Sequence, residues 1–181
     1  ELYKKGVRAF VVSEEPGTGN FHNASFLVVP DTLAALQELA IYHRSRFDIP
    51  VIGITGSNGK TIVKEWLYQM LHDEYVIVRS PKSYNSQIGV PLSVWQMNEQ
   101  HTLSIFEAGI SQSGEMEKLE KIIRPTIGVL TNIGEAHNEG FADASQKLKE
   151  KLRLFTHCQF VIARGEDIET QKEWIKTFEA L

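Results

Sequence analysis

The chain has 181 residues, 42% of them hydrophobic and 23% charged, with a formal net charge of −4. That balance supports a buried core and excludes disordered, collagen-like and coiled-coil architectures. A mildly acidic chain is poorly suited to gripping a nucleic-acid backbone over a broad surface, so no nucleic-acid partner is expected, although a small local anion site stays open.

In chain order, residues 7–12 and 25–29 read as two strands around a turn-rich stretch. Two strands alone are marginally stable. Residues 1–30 are therefore expected to be the tail of an upstream domain or an edge hairpin, and residues 31–181 the main domain. Asp31 can cap a helix in which Leu33, Leu36, Leu39, Ala40 and His43 recur at helical spacing. Beyond Pro50 the pattern alternates. Strands are predicted at 51–55, 75–78, 103–108, 126–131 and 160–163. Helices are predicted around 62–71, 88–97, 116–123, 144–155 and 168–178. Trp66 and Trp95 fall on apolar helix faces and are expected in the core. This alternation predicts an α/β fold, a mostly parallel sheet with helices on both faces. Cys158 is the one cysteine, expected as a small buried hydrophobe. It allows no internal disulfide and fits a reducing, cytoplasmic setting. No apolar run exceeds four residues, far short of the ~20 a membrane span needs.

The strongest motif is Gly53-Ile54-Thr55-Gly56-Ser57-Asn58-Gly59-Lys60-Thr61, placed between a buried strand and an amphipathic helix. Gly56 and Gly59 allow tight turns and close approach of a ligand. Backbone N–H groups of Ser57 and Asn58 and of the helix start can converge on phosphate oxygens. Lys60 offers a point charge, and the Thr61 hydroxyl can bind Mg²⁺. The spacing is G-x-x-G-K-T, since Ile54 stands where the strict phosphate loop has Gly.

Further candidates fall at predicted strand ends, the ligand-binding edge of a parallel sheet. Glu107 could hold Mg²⁺, which prefers oxygen ligands. Asn132 and His137 follow the strand at 126–131. Lys147, Lys149 and Lys151 lie on the next helix, where composition alone suggests a solvated basic face. Asn85 and Ser86 lie in a polar loop running into a helix.

Together these stretches resemble the Mur ligases, ATP-dependent amide-forming enzymes of bacterial peptidoglycan synthesis. The matching segments are 53–61, 84–92, 107–115, 131–141 and 151–155, in the family's order. Segments 107–116 and 131–141 look most like the branch that joins D-Ala-D-Ala to UDP-N-acetylmuramoyl-tripeptide. Segment 83–95 is similar to the form fused to an alanine racemase in Bacteroidetes.

The resemblance implies a central ATP-binding domain with a P-loop NTPase-like fold, preceded by the end of a UDP-substrate domain and without the C-terminal ligase domain. Such a fragment is expected to fold but not to ligate alone. It further implies ATP as cofactor, held by Gly56 to Thr61 and Asn132. Thr61 and Glu107 match ligands of one Mg²⁺, and His137 matches a ligand of a second. Lys151 matches a lysine that the family carbamylates, and with Lys60, Glu107 and His137 it completes the implied catalytic set. Asn85 and Ser86 match the substrate loop. Two departures stand out. Ser86 replaces a second Asn, and Leu152-Arg153 replaces the usual Gly-Glu, which keeps Lys149 as an alternative to Lys151. The rival identities are another Mur-type or folylpolyglutamate ligase, a P-loop phosphotransferase, and a non-catalytic nucleotide-binding module.

Overall fold

The structure, a computed structural model, describes residues 1–17, 21–132, 140–164 and 172. Its first two strands, β1 (Ala9–Val12) and β2 (Ser25–Val28), pair in parallel as a separate two-stranded sheet. A hairpin is antiparallel, so the edge-hairpin alternative for residues 1–30 does not hold.

Asp31 caps α1 (Thr32–Ser45), its Oδ1 accepting from the backbone N–H of Leu33 at 2.8 Å and Ala34 at 3.1 Å. The chain then runs through β3 (Val51–Thr55), α2 (Lys60–Leu71), β4 (Ile77–Arg79), α3 (Gly89–Val94) and β5 (Leu103–Glu107). It continues through α4 (Glu115–Ile123), β6 (Ile127–Leu130), α5 (Ala144–Leu152), a 3₁₀ turn over Arg153–Phe155 and β7 (Phe160–Ala163). The helix expected at 168–178 lies outside the described residues.

The five later strands form one parallel sheet in the order β4-β5-β3-β6-β7. β3 is central and buried along its whole length, as its unbroken apolar run requires. Alternation of side chains sends Ile52 and Ile54 to one face, where Val63, Leu67 and Leu71 of α2 cover them. The other face carries Val51, Phe106 and Leu130, packed under Ala40 of α1, Val90 and Val94 of α3, Leu119 and Ile123 of α4 and Leu148 of α5.

Two tryptophans depart from expectation. Trp66 is 61% exposed and Trp95 53%. α2 carries two neighbouring apolar stripes, and the sheet takes the one through Val63, Leu67 and Leu71. Ile62, Trp66 and Met70 form the other and face outward. Trp95 lies against the His43 ring, with centroids 4.6 Å apart. Cys158 is half-buried at the core margin, and burial pushes its thiol up to about 12.

Candidate active site

β3 has neighbours on both sides, so the loops leaving β3, β5 and β6 open at one edge of the sheet. That is the topological switch point of an open parallel sheet. The 56–60 loop leaves β3 there. Gly56 has φ +146°, and a Cβ on it would lie 2.0 Å from Thr131 Oγ1. Gly59 has φ +81° at the start of α2. Both positions call for glycine.

The loop is gripped from the end of β6. The carbonyl of Asn132 accepts from Ser57 N–H and its side-chain Oδ1 from Asn58 N–H, both at 2.8 Å. Thr131 Oγ1 donates to the carbonyl of Asn58 at 2.6 Å. Asn132 thus braces the phosphate loop through its backbone. Lys60 folds back, its Nζ donating to the carbonyls of Gly56 at 2.9 Å and Ser57 at 3.3 Å. Burial lowers its pKa, Lys147 adds to that, and Glu107 opposes it.

Glu107, at the end of β5, has no exposed side-chain surface. Its Oε2 accepts from Thr61 Oγ1 at 3.0 Å, which joins the two residues expected to bind Mg²⁺. Its Oε1 is buried without an aligned hydrogen bond, although Lys64 Nζ lies at the ion-pair distance of 2.9 Å. A hydroxyl and a carboxylate with spare accepting capacity suit a hard divalent cation. Among the described residues no three His, Cys, Asp or Glu cluster as ligands. His137 lies outside the described residues.

Lys151 reaches across from α5, its Nζ donating to the carbonyl of Gly56 at 3.1 Å. Burial, together with the nearby cations Lys60 and Lys147, brings its pKa down to about 7. Lys147 is also buried, at 2% exposure, so only part of this helix face is solvated. The pair sit one helical turn apart on the inward face, while Lys149 points outward and is exposed.

A cleft of about 530 Å³ gathers Gly56, Ser57, Lys60, Asn85, Ser86, Lys147 and Lys151. The carbonyl of Asn85 accepts from Gly109 N–H at 2.7 Å, and Ser86 Oγ accepts from Gly89 N–H at 3.1 Å. Lys60 from α2 and Lys147 and Lys151 from α5 line the cleft together with Glu115, and this excess of cations favours an anion there.

Lys64 and Glu150 are among the buried charged groups that sequence reasoning missed. Lys64 lies on the sheet-facing side of α2 beside Val63 and Leu67, and a lysine inside an apolar stripe was the available signal. Glu150 Oε1 accepts from the N–H of Gly114 at 2.7 Å and Met116 at 3.1 Å, capping α4 from α5. Nothing local in the sequence marks that long-range cap.

The chain matches the model of the Mur ligase middle domain over residues 54–180. It belongs to that family. UDP-N-acetylmuramoyl-tripeptide–D-alanyl-D-alanine ligase of Treponema pallidum is 36% identical over 165 residues, covering 86% of this chain and 36% of that protein. The Bacillus subtilis ligase of the same name is 36% identical over 137 residues, or 72% of this chain and 30% of its own length. MurF from Acinetobacter baumannii superposes with TM-score 0.84 at 27% identity, covering 94% of this chain and 37% of that one. MurF from Thermotoga maritima in complex with ADP gives 0.85 at 26% identity, with 97% and 41% covered. The Mur-family chain thus spans about a third of the length of the curated relatives it matches. The α/β fold with its parallel sheet, expected from the sequence, is the fold of this family's middle domain.

Proposed function

We propose that this chain is the nucleotide-binding part of an ATP-dependent peptide ligase that adds D-Ala-D-Ala to UDP-N-acetylmuramoyl-tripeptide in the cytoplasm. The observation that carries the proposal is the convergence of Gly56, Ser57, Lys60 and Lys151 on one cleft, with the hydrogen-bonded pair Thr61–Glu107 next to Lys60 at the start of α2. Residues 31–181 then form the central ATP domain, and β1 and β2, with their separate sheet, belong to the end of the UDP-substrate domain.

The reaction must activate a carboxylate that is a poor electrophile. Its oxygen attacks the γ-phosphorus of ATP, the bond to ADP breaks, and an acyl phosphate forms. The amine of D-Ala-D-Ala attacks the acyl carbon, phosphate leaves, and the amine loses a proton to give the amide. Two anions meet in the first step, so catalysis needs charge neutralisation and alignment.

The N–H groups at the α2 start receive the phosphates, those of Ser57 and Asn58 being held by Asn132, and Lys60 turns from its loop carbonyls to the outer phosphates. Mg²⁺, when bound, supplies Lewis-acid stabilisation of phosphoryl charge. Thr61 and Glu107 would hold one such ion, and His137 together with Lys151 would serve a second. Lys151 serves as a carbamate: its neutral amine adds CO₂, an N–C bond forms, and the proton goes to solvent. Burial in the cleft and a pKa near 7 support that role over exposed Lys149. Asn85 and Ser86 contact the peptide substrate.

The test is phosphate release from ATP by the intact protein. Release should require both UDP-tripeptide and D-Ala-D-Ala. Lys151→Ala should lose most of it and regain part with a short-chain carboxylate, while Lys149→Ala stays near wild type. Stimulation by a single amino acid instead of the dipeptide would assign the chain to another ligase.

A further inference from the structure

Lys64 is a cation with 0% exposure, set behind the metal-site carboxylate and not in the cleft. Its Nζ donates to the carbonyl of Ser80 at 2.8 Å and to that of Lys82, and lies 2.9 Å from Glu107 Oε1 and 3.2 Å from Glu65 Oε1. Ser80 in turn accepts Glu107 N–H on its Oγ at 3.1 Å. One residue at the end of β4 therefore fixes both the ammonium and the backbone of Glu107. The carboxylate is divided, with Oε1 facing Lys64 and Oε2 facing Thr61.

We propose that Lys64 is a positioning residue that holds the Glu107 carboxylate in the orientation that accepts a nucleotide-bound Mg²⁺, and so makes nucleotide binding metal-dependent. The inference rests on the nucleotide–Mg²⁺ function proposed above. Stability alone is a weak reason for this pair, because apolar residues of similar volume often replace a buried ion pair without loss. What an apolar pair cannot do is orient a carboxylate. With Oε1 held from behind, Oε2 stays directed at Thr61. Among the described residues Lys64 bonds to no carbonyl of the 56–60 loop and does not line the cleft, so its direct link to the Mg²⁺ ligands is Glu107.

The experiment titrates ADP into the intact protein by calorimetry, once in EDTA and once in saturating Mg²⁺. Wild type should bind more tightly with the metal. Lys64→Met should lose about tenfold or more of that enhancement, the usual scale for residues that orient a metal ligand. Its affinity in EDTA should stay within about threefold of wild type. An undiminished enhancement overturns the proposal, as does an equal loss in both conditions, which marks a merely structural role.

If Lys64→Met does not fold, Glu107→Gln is compared with the double variant Glu107→Gln/Lys64→Met, in which no charge is left unpaired. The two should match in both conditions, and a further loss in the double variant overturns the proposal. A wild type whose ADP affinity ignores Mg²⁺ would instead sink the metal-site assignment itself, and this inference with it.

Discussion

At the residue scale, Lys151 differs from its neighbours through its environment. It lies on the inward face of α5 against the Gly56 carbonyl, with Lys60 and Lys147 nearby. Its folded pKa of about 7 lies below its value of about 10.4 in an unfolded chain. Between those values the unfolded state binds more protons, so this group makes stability rise with pH. Below pH 7 both states are protonated, and its destabilising effect is full and constant. In the metal-free, unmodified protein, the urea midpoint of wild type relative to Lys151→Met should climb between pH 7 and 9. Lys151→Met should also be the more stable of the two at pH 7. Parallel pH profiles for wild type and Lys151→Met would show that Lys151 is not held in a desolvated site. The sequence alone made these lysines one basic face. What separated them was the 3.6-residue period seen against a particular packing surface, which a single helix cannot supply.

At the element scale, the strands were legible because apolar, β-branched runs between turn residues have few other solutions. β3 is the clearest case. Helix ends were less so. The helix expected at 88–97 shortens to α3 (Gly89–Val94), and the one expected to run to 155 passes into a 3₁₀ turn at Arg153. The orientation of α2 was open because both of its apolar stripes have the right period.

Long-range caps were illegible for a similar reason, and Arg44 shows it. It is 7% exposed, and its guanidinium donates to the carbonyls of Ile123 at 2.9 Å, Phe47 at 2.7 Å and Arg124 at 3.2 Å. These include the last carbonyls of α4, which ends at Arg124 in the left-handed region with φ +45°. Such carbonyls have no partner within the helix. Arg44→Met keeps the aliphatic stem but leaves them unsatisfied, and should cost about 3 kcal/mol in denaturant unfolding. Nucleotide affinity should stay within about twofold, because the residue lies away from the phosphate loop. A stability loss under about 0.5 kcal/mol would show that solvent satisfies those carbonyls.

At the scale of the whole molecule, strand order does what no local segment can. The order β4-β5-β3-β6-β7 sets Glu107 at the end of one strand beside β3 and Asn132 just past the end of the other, so Glu107 meets Thr61 at the start of α2 and Asn132 meets the loop that β3 carries. Periodicity could place each residue at a strand end but could not say which ends are adjacent. That step came from the order of motifs shared with the Mur ligases, and the register of Ile54 against Glu107 supplies its physical basis. The central claim is that this edge holds the nucleotide phosphates, with Lys60 the cation aimed at them. It is tested most directly by titrating ATP with Mg²⁺ into the intact wild-type protein and into Lys60→Ala. Removing one charge-assisted hydrogen bond typically costs about 1.5–3 kcal/mol, roughly 10–10² in affinity. Wild type should bind saturably, and Lys60→Ala should lose affinity by about that factor while its circular dichroism without nucleotide stays that of the folded protein. Binding by Lys60→Ala within a few-fold of wild type would contradict it.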